Sequence, residues 1–269
     1  WNSEPRSKPW CSAHTVPALD SPEYGTLVKT EWDGAKTLAW DADWSNDGKW
    51  VAFRANNKIW LMPAGGGTPL DVTKDIADVC ANPRFTSDSG EITYTRTIIV
   101  DAPVGFSVVS RIEGVGVESG ARRIIMENNA SAGDWSKDGK SMVFIQDTGN
   151  MNLAALKLFN TEENTFATFS SVESIGREFN WGPCISQDAS SIVFSIKVSG
   201  AYRLYSIPSS GGQPVKFSSV PVQAGHQIMG PAISPNGEWI LYTEISSTYE
   251  SARLYVLNTI TGKSAVLIP

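Results

Sequence analysis

Histidine is nearly missing from this chain, with only His14 and His226 among 269 residues, so a His-rich metal centre has no ligands to draw on. Cysteine is scarce too, and three of them allow one bridge and one leftover thiol. Cys184 falls in a strand-like run and reads as a small buried hydrophobe, whereas Cys11, in an irregular stretch, can be stapled to Cys80 in a loop. No apolar run approaches 18 residues, so no membrane-spanning helix is expected. Blocks of one charge are lacking as well: 22 basic and 28 acidic residues give a net charge of −6, spread along the chain, which argues against a nucleic-acid surface. No Gly-x-Ser-x-Gly elbow, P-loop or dinucleotide fingerprint occurs, and no cofactor is expected.

What the chain does have is a phrase that returns. Asp43-Trp44-Ser45-Asn46-Asp47-Gly48-Lys49 leads into the apolar run Trp50 to Phe53, and Asp134-Trp135-Ser136-Lys137-Asp138-Gly139-Lys140 leads into Met142 to Ile145. Weaker copies stand at Phe85 to Gly90, Ile185 to Ala189 and Ile233 to Trp239. The fourth corner position, Asp47, Asp88, Asp138, Asp188 and Asn236, recurs at spacings of 41, 50, 50 and 48 residues. Such a period signals a propeller or solenoid. After each corner come an apolar strand, a second strand, a polar or Gly-rich turn and a short last strand, without helical periodicity between them. That is the content of a four-stranded propeller blade. A short polar side chain that accepts backbone N–H bonds, followed by Gly at φ > 0, explains the corner itself.

On these residues, with Ala64-Gly65-Gly66-Gly67 and Ser210-Gly211-Gly212 as later turns, the chain resembles the TolB-type propellers built from WD40-like PD40 repeats. The resemblance runs from Leu38 to the C-terminus and implies an all-β single propeller of four-stranded blades. It departs from the pattern in two ways: only the fifth corner keeps Pro (Pro235), and the second and fourth have lost the Asp-Gly pair. Five repeats leave enough chain for a further unit. Thr26 to Glu31 and Lys36 to Trp40 read as a hairpin around Trp32-Asp33-Gly34, so six blades are preferred, with five as the alternative. Residues 1–23, with four Pro, read as an arm, and 24–269 as the propeller domain.

The numbering starts at Trp1 in a polar, Pro-rich stretch, as after signal-peptide removal or in a trimmed chain. Asn129-Ala130-Ser131 is a glycosylation sequon. Together these point to a secretory route, with the periplasm as the alternative. Ile98 to Phe106 places apolar residues in a stretch read as a loop, a candidate lid over one channel mouth, and packing on a neighbouring blade explains it equally. Asn160 to Arg177 reads as an extended hairpin with its loop.

Propeller geometry puts the segment before each innermost strand at a channel mouth. This rim collects Trp40 and Asp41; Asn82 and Arg84; Asn128 and Asp134; Glu178, Asn180 and Trp181; and His226, Gln227 and Met229, with Tyr202 and Tyr249 from other loops. The five rims differ in sequence, which suggests one asymmetric site. Asp41, Asp134 and Glu178 supply carboxylates of the kind a glycosidase needs, although Asp134 repeats Asp43 and is open to a structural explanation. Trp40, Trp181, Tyr202, Met229 and Tyr249 make a surface for a small, mostly apolar organic molecule. The resembled family includes small secreted fungal cyclases of the hetero-Diels–Alder type. For such chemistry His226, Gln227 or Arg84 would polarise the heterodiene oxygen, and Glu178 or Asp41 would assist a preceding dehydration. Carbohydrate-binding and protein-binding propellers remain the alternatives. Nothing in the sequence fixes the oligomeric state.

Overall fold

The computed structural model describes residues 39–101, 106–127, 129–150, 153–173, 182–217, 220, 222–223, 225–234, 236–248 and 251–268. They form five antiparallel four-stranded sheets, each taken from one contiguous stretch of chain. Blade 1 consists of β1 (Ala39–Trp44), β2 (Trp50–Ala55), β3 (Lys58–Pro63) and β4 (Leu70–Asp71). In blade 2 the strands are β5 (Val79–Phe85), β6 (Glu91–Asp101), β7 (Phe106–Gly116) and β8 (Arg122–Met126). Blade 3 follows with β9 (Ala130–Trp135), β10 (Ser141–Asn150), β11 (Leu153–Asn160) and β12 (Thr165–Thr168), then the one-turn helix α1 (Ser170–Glu173). β13 (Cys184–Ile185), β14 (Ser191–Val198), β15 (Ala201–Pro208) and β16 (Val215–Lys216) make blade 4. Blade 5 holds β17 (His226–Ile233), β18 (Trp239–Ser246), β19 (Ala252–Asn258) and β20 (Ser264–Ile268).

Among the described residues the count is five, the alternative to the preferred six, because the strand before each corner already completes its own blade. Ala39 and Trp40, read as the end of an extra hairpin, belong to β1; the rest of that hairpin and the 1–23 arm lie outside the described residues.

The corners hold by local hydrogen bonding. The Ser45 hydroxyl donates to Asp47 Oδ1 at 2.7 Å, the Lys49 N–H donates to the same oxygen at 3.1 Å, and the Trp50 N–H donates to Ser45 Oγ at 2.9 Å. The set recurs around Asp88, Asp138, Asp188 and Asn236. The hydroxyl donor foremost, then the N–H, holds Asp47 and Asp188 down to about 2. These acids are turn residues.

Two hairpins close on two-residue turns with both residues at positive φ: Asn56-Asn57 (51° and 60°) and Ser199-Gly200 (51° and 81°). Asn tolerates this region better than Ser, so Ser199→Asn is expected to add roughly 0.5–1 kcal/mol. Thermal unfolding should then shift up by about 1–3 °C; an unchanged or lower midpoint would show that the turn is not strained.

The core lies in the seams between blades. One cluster joins Ala52, Ile59 and Leu61 of blade 1 to Phe85, Ile92 and Tyr94 of blade 2. Ile112 and Met126 meet Met142 and Phe144 across the next seam. Val143 and Leu156 meet Ile185, Ile192 and Phe194, and Val193 and Leu204 meet Ile228, Ile240 and Tyr242. Cys80 sits in the first of these seams as a fully buried free thiol on β5, pushed up to about 11 by burial. It is a strand residue of the core, where the sequence reading places it in a loop, and Cys11, its expected partner, lies outside the described residues. Cys184 is likewise buried and free.

The apolar stretch from Ile98 is no loop on the described residues, since β6 and β7 continue through Val100↔Ser107 and Asp101↔Phe106. Ile99, Val100 and Val108 are exposed on this projecting hairpin. Within 160–177, β12 pairs back on β11 as a hairpin and α1 follows it, while 174–177 lie outside the described residues.

Candidate functional site

Four innermost strands carry a bulge at the same height. Pairing shifts register between Trp40 and Asp43, Ala81 and Arg84, Ser131 and Asp134, and Met229 and Ala232. The extra residue takes positive φ at Asp41 (53°), Asn82 (52°) and Gly230 (50°). A bulge re-aims the side chains that follow it. Here it brings Asp43, Arg84, Asp134 and Ala232, together with Cys184 of blade 4, to one cavity of about 280 Å³ on the propeller axis. Each blade contributes one residue of this position, and the five have different chemistry. Trp44, Phe85, Trp135, Ile185 and Ile233 add apolar wall, and Asn46, Ser87, Lys137 and Gln187 from the corners surround the mouth.

Charge sits on one side of the cavity. The Arg84 Nε lies 3.8 Å from Asp134 Oδ1, with both side chains partly reached by solvent. Burial pushes the Asp134 carboxyl up to about 6, and the Asp43 charge adds to this; Arg84 and the Ile185 N–H pull the other way. Burial raises Asp43 as well, again against Arg84. Both carboxylates also hold the ring together. Asp43 Oδ2 accepts the Phe85 N–H at 2.8 Å, and Asp134 Oδ2 accepts the Ile185 N–H at 2.9 Å, so each pins the innermost strand of the next blade. The arrangement offers a permanent cationic donor, a carboxyl that bears a proton below about pH 6, and aromatic walls.

Of the residues expected from the sequence, this cavity takes Arg84 and Asp134. Asp41 lies nearby, its carboxyl raised by burial against Arg84 and Arg54, with Oδ2 buried and unpartnered. It does not line the cavity. His226 is engaged elsewhere: its Nδ1 is 3.4 Å from Oε1 of the buried Glu244. That carboxylate also accepts the Gln223 N–H at 2.6 Å and the Tyr255 hydroxyl at 3.0 Å. Gln227 is half-buried and Met229 buried on β17. Tyr202 sits beside the β14–β15 turn with the Lys197 ammonium 5.9 Å above its ring. Trp40 is placed in β1 by its backbone, its side chain lying outside the described set. Glu178, Trp181, Tyr249, Asn128 and Asn180 lie outside the described residues. Asn129 precedes β9, where its Oδ1 accepts the Ser110 N–H at 3.3 Å. Among the described residues no group of three or more His, Cys, Asp or Glu is placed to hold a metal ion, and no helix is long and apolar enough to cross a membrane.

Asp43, Cys184 and Ala232 were missed by sequence reasoning. Their signal was present: aligned at two positions before the corner Ser or Thr, the repeats read Asp, Arg, Asp, Cys, Ala, whereas the corners agree.

No family model matches the sequence, and no curated protein does. Solved structures match the fold. A TolB-type protein of Agrobacterium tumefaciens superimposes with a TM-score of 0.68 at 19% identity, over 86% of this chain and 81% of that one. TolB of Acinetobacter baumannii gives 0.60 at 15% identity, over 86% of this chain but only 52% of that one, so the chain spans about half of that protein. An oligogalacturonate lyase of Vibrio parahaemolyticus gives 0.54 at 13% identity, over 85% and 64%. The chain therefore has a TolB-like propeller fold. At these identities fold alone is shared, and function has to be argued from the cavity.

Proposed function

We propose that the chain is an exported enzyme that holds a small organic molecule in the axial cavity and closes a ring in it, in the manner of a hetero-Diels–Alder cyclase. The observation that carries this reading is the convergence of five chemically different residues, one per blade, on a single cavity with aromatic walls and two donors. The reaction joins a C=C–C=O heterodiene to an alkene: one C–C and one C–O bond form, and no atom leaves. It needs no nucleophile. It needs two partners held in reacting geometry, where orientation contributes up to roughly 7–11 kcal/mol in the best cases, and a donor on the heterodiene oxygen. Arg84 supplies that donor through its guanidinium, and Asp134 does so while protonated. The charge in the cavity suits a mostly apolar ligand that carries a carbonyl acceptor. The sequon at Asn129 supports an exported protein.

The test is direct: the full chain is mixed with a synthetic enone heterodiene and a cyclic alkene, and the dihydropyran is resolved by chiral chromatography. One enantiomer should form in excess, faster than in buffer, and Arg84→Lys, which keeps the charge but loses the planar fork, should slow it by about 10- to 100-fold. Racemic product at the buffer rate would remove the cyclase reading. The exposed apolar hairpin at Ile99, Val100 and Val108 favours a second one, a non-catalytic propeller that docks a protein partner.

A further inference from the structure

Corners of neighbouring blades are tied to each other across two seams, and between blades 2 and 3 the tie is missing. At the seam of blades 1 and 2, Asn46 Nδ2 donates to the Ser87 carbonyl at 3.0 Å and the Asp47 N–H donates to Ser89 Oγ at 3.2 Å. At the seam of blades 3 and 4, the Lys137 N–H donates to the Gln187 carbonyl at 3.3 Å. The corners of blades 2 and 3 share no such bond among the described residues. The repeat position of Ser89 is held in blade 3 by Gly139, which has no hydroxyl to offer the Asp88 N–H. This seam holds a groove of about 440 Å³ instead. It starts at the mouth of the axial cavity, where Ser87 and Trp135 line both, and extends to Arg123 on the outermost strand of blade 2 and Phe159 on β11.

The apolar wall is fixed by its own contacts. Trp135 Nε1 donates to Thr93 Oγ1 at 3.1 Å. Phe159 stacks on Phe166 with ring centroids 4.8 Å apart, and Phe166 in turn stands edge-on to the buried Phe144 at 6.3 Å. Ile125 completes this side. On the polar side three lining groups keep hydrogen-bonding capacity among the described residues. Arg123 spends Nε and Nη2 on Glu91, at 2.9 and 2.6 Å, and leaves Nη1 unspent. Asp88 Oδ1 accepts the Thr86 hydroxyl at 2.6 Å and the Gly90 N–H at 2.9 Å, and Oδ2 is left over. Ser87 takes part in the corner through its carbonyl alone, so its hydroxyl is unspent as well.

The groove thus offers a donor, an acceptor and a group that acts as either, beside flat apolar faces. Glu91 already neutralises Arg123, so the charge left over is that of Asp88, which repels an anion; a cation would meet the open edge of the guanidinium. A neutral molecule with adjacent hydroxyls meets neither penalty. Its hydroxyls accept from the guanidinium and donate to the carboxylate, both charge-assisted bonds, while a C–H face lies on an aromatic ring. We infer that this groove is a saccharide site, which takes a neutral pyranose with one face on Trp135 or Phe159 and two hydroxyls between Arg123 Nη1 and Asp88 Oδ2. The site is separate from the Arg84 and Asp134 pair, and the inference stands whether or not the axial cavity is catalytic.

The experiment is saturation-transfer NMR on the full chain with the methyl glycosides of glucose, galactose, mannose and fucose, each titrated in turn. At least one should receive saturation at its ring protons. Asp88→Asn should weaken that sugar by about 10-fold or more, because the unspent acceptor becomes an amide donor. The corner itself survives this change, since Asn236 holds the corner of blade 5 with the same bonds. Asp188→Asn, the same exchange at the corner of blade 4, should leave the affinity unchanged, and so should Arg84→Lys in the axial cavity. Phe159→Leu, which stays apolar but loses the flat ring, should cost about 3- to 10-fold. Saturation of none of the four sugars would overturn the inference, as would equal losses in the two corner variants. A loss in Arg84→Lys without one in Asp88→Asn or Phe159→Leu would place the sugar in the axial cavity and overturn it too.

Discussion

Replacing Arg84 with methionine is expected to cost about 2–3 kcal/mol of stability at pH 7.5 and much less at pH 5. Arg84 is the cation that draws down both Asp43 and Asp134, and burial has already pushed Asp134 up to about 6. Without the guanidinium both carboxyls bind protons still more tightly in the folded state. A carboxyl whose folded pKa exceeds its unfolded value favours folding while protonated, and that contribution is lost as pH rises through the folded value. The deficit of the variant therefore opens above about pH 6 and closes on acidification. Breaking a fully buried pair costs about 3–5 kcal/mol; the figure here is lower because the Arg84 and Asp134 side chains are 31% and 21% exposed. Urea midpoints at the two pH values measure the effect. Adding Asp134→Asn should recover part of the loss at pH 7.5, since one of two like charges is gone while an amide oxygen still accepts the Ile185 N–H. An equal deficit at both pH values would assign the loss to packing.

The contrast between corners and cavity explains what could be read from the sequence. A corner is made by residues two to five apart, Ser45, Asp47, Lys49 and Trp50, so its chemistry is written locally and survives in five copies. The four strands of each blade followed from the same repeat. The cavity depends on which residue of a strand faces the axis, and a bulge decides that. Without the extra residue at Asp41 or Asn82, strand alternation would be read in the wrong phase. The expected rim accordingly fell on Trp40, Asp41, His226 and Gln227, at the start of the innermost strands, whereas the cavity opens toward their corner ends. Asp134, expected on the rim, was open to a structural explanation as a repeat of Asp43; both carboxylates pin neighbouring blades and line the cavity as well. Among the described residues, the strand preceding the first corner, assigned from the sequence to a separate hairpin, is the innermost strand of blade 1.

The heaviest loss of stability is expected at Glu113, far from the axial cavity. This carboxylate is buried on β7, and every oxygen is used. Oε2 accepts the Tyr94 hydroxyl at 2.8 Å, and Oε1 accepts Arg111 Nε at 2.6 Å and Arg96 Nη1 at 3.2 Å. Burial first, then the Glu113 carboxylate, raises the Tyr94 hydroxyl so far that it stays a donor at any working pH. Glu113→Ala leaves that donor without a partner in the core and removes the charge facing two arginines. Arg96 keeps its two bonds to Asp78 Oδ2 at 2.8 and 2.6 Å, so the loss falls mainly on Tyr94 and Arg111. About 3–5 kcal/mol should disappear, whereas Glu113→Gln, which keeps an acceptor for Tyr94, should lose about 1–2 kcal/mol. Combining Glu113→Ala with Tyr94→Phe should return about 1–2 kcal/mol relative to the sum of the single changes, because the orphaned hydroxyl is gone. Denaturant unfolding of the unaltered protein, Glu113→Ala, Tyr94→Phe and the double variant gives the cycle, and strictly additive losses would show that Tyr94 and Glu113 do not act as a pair.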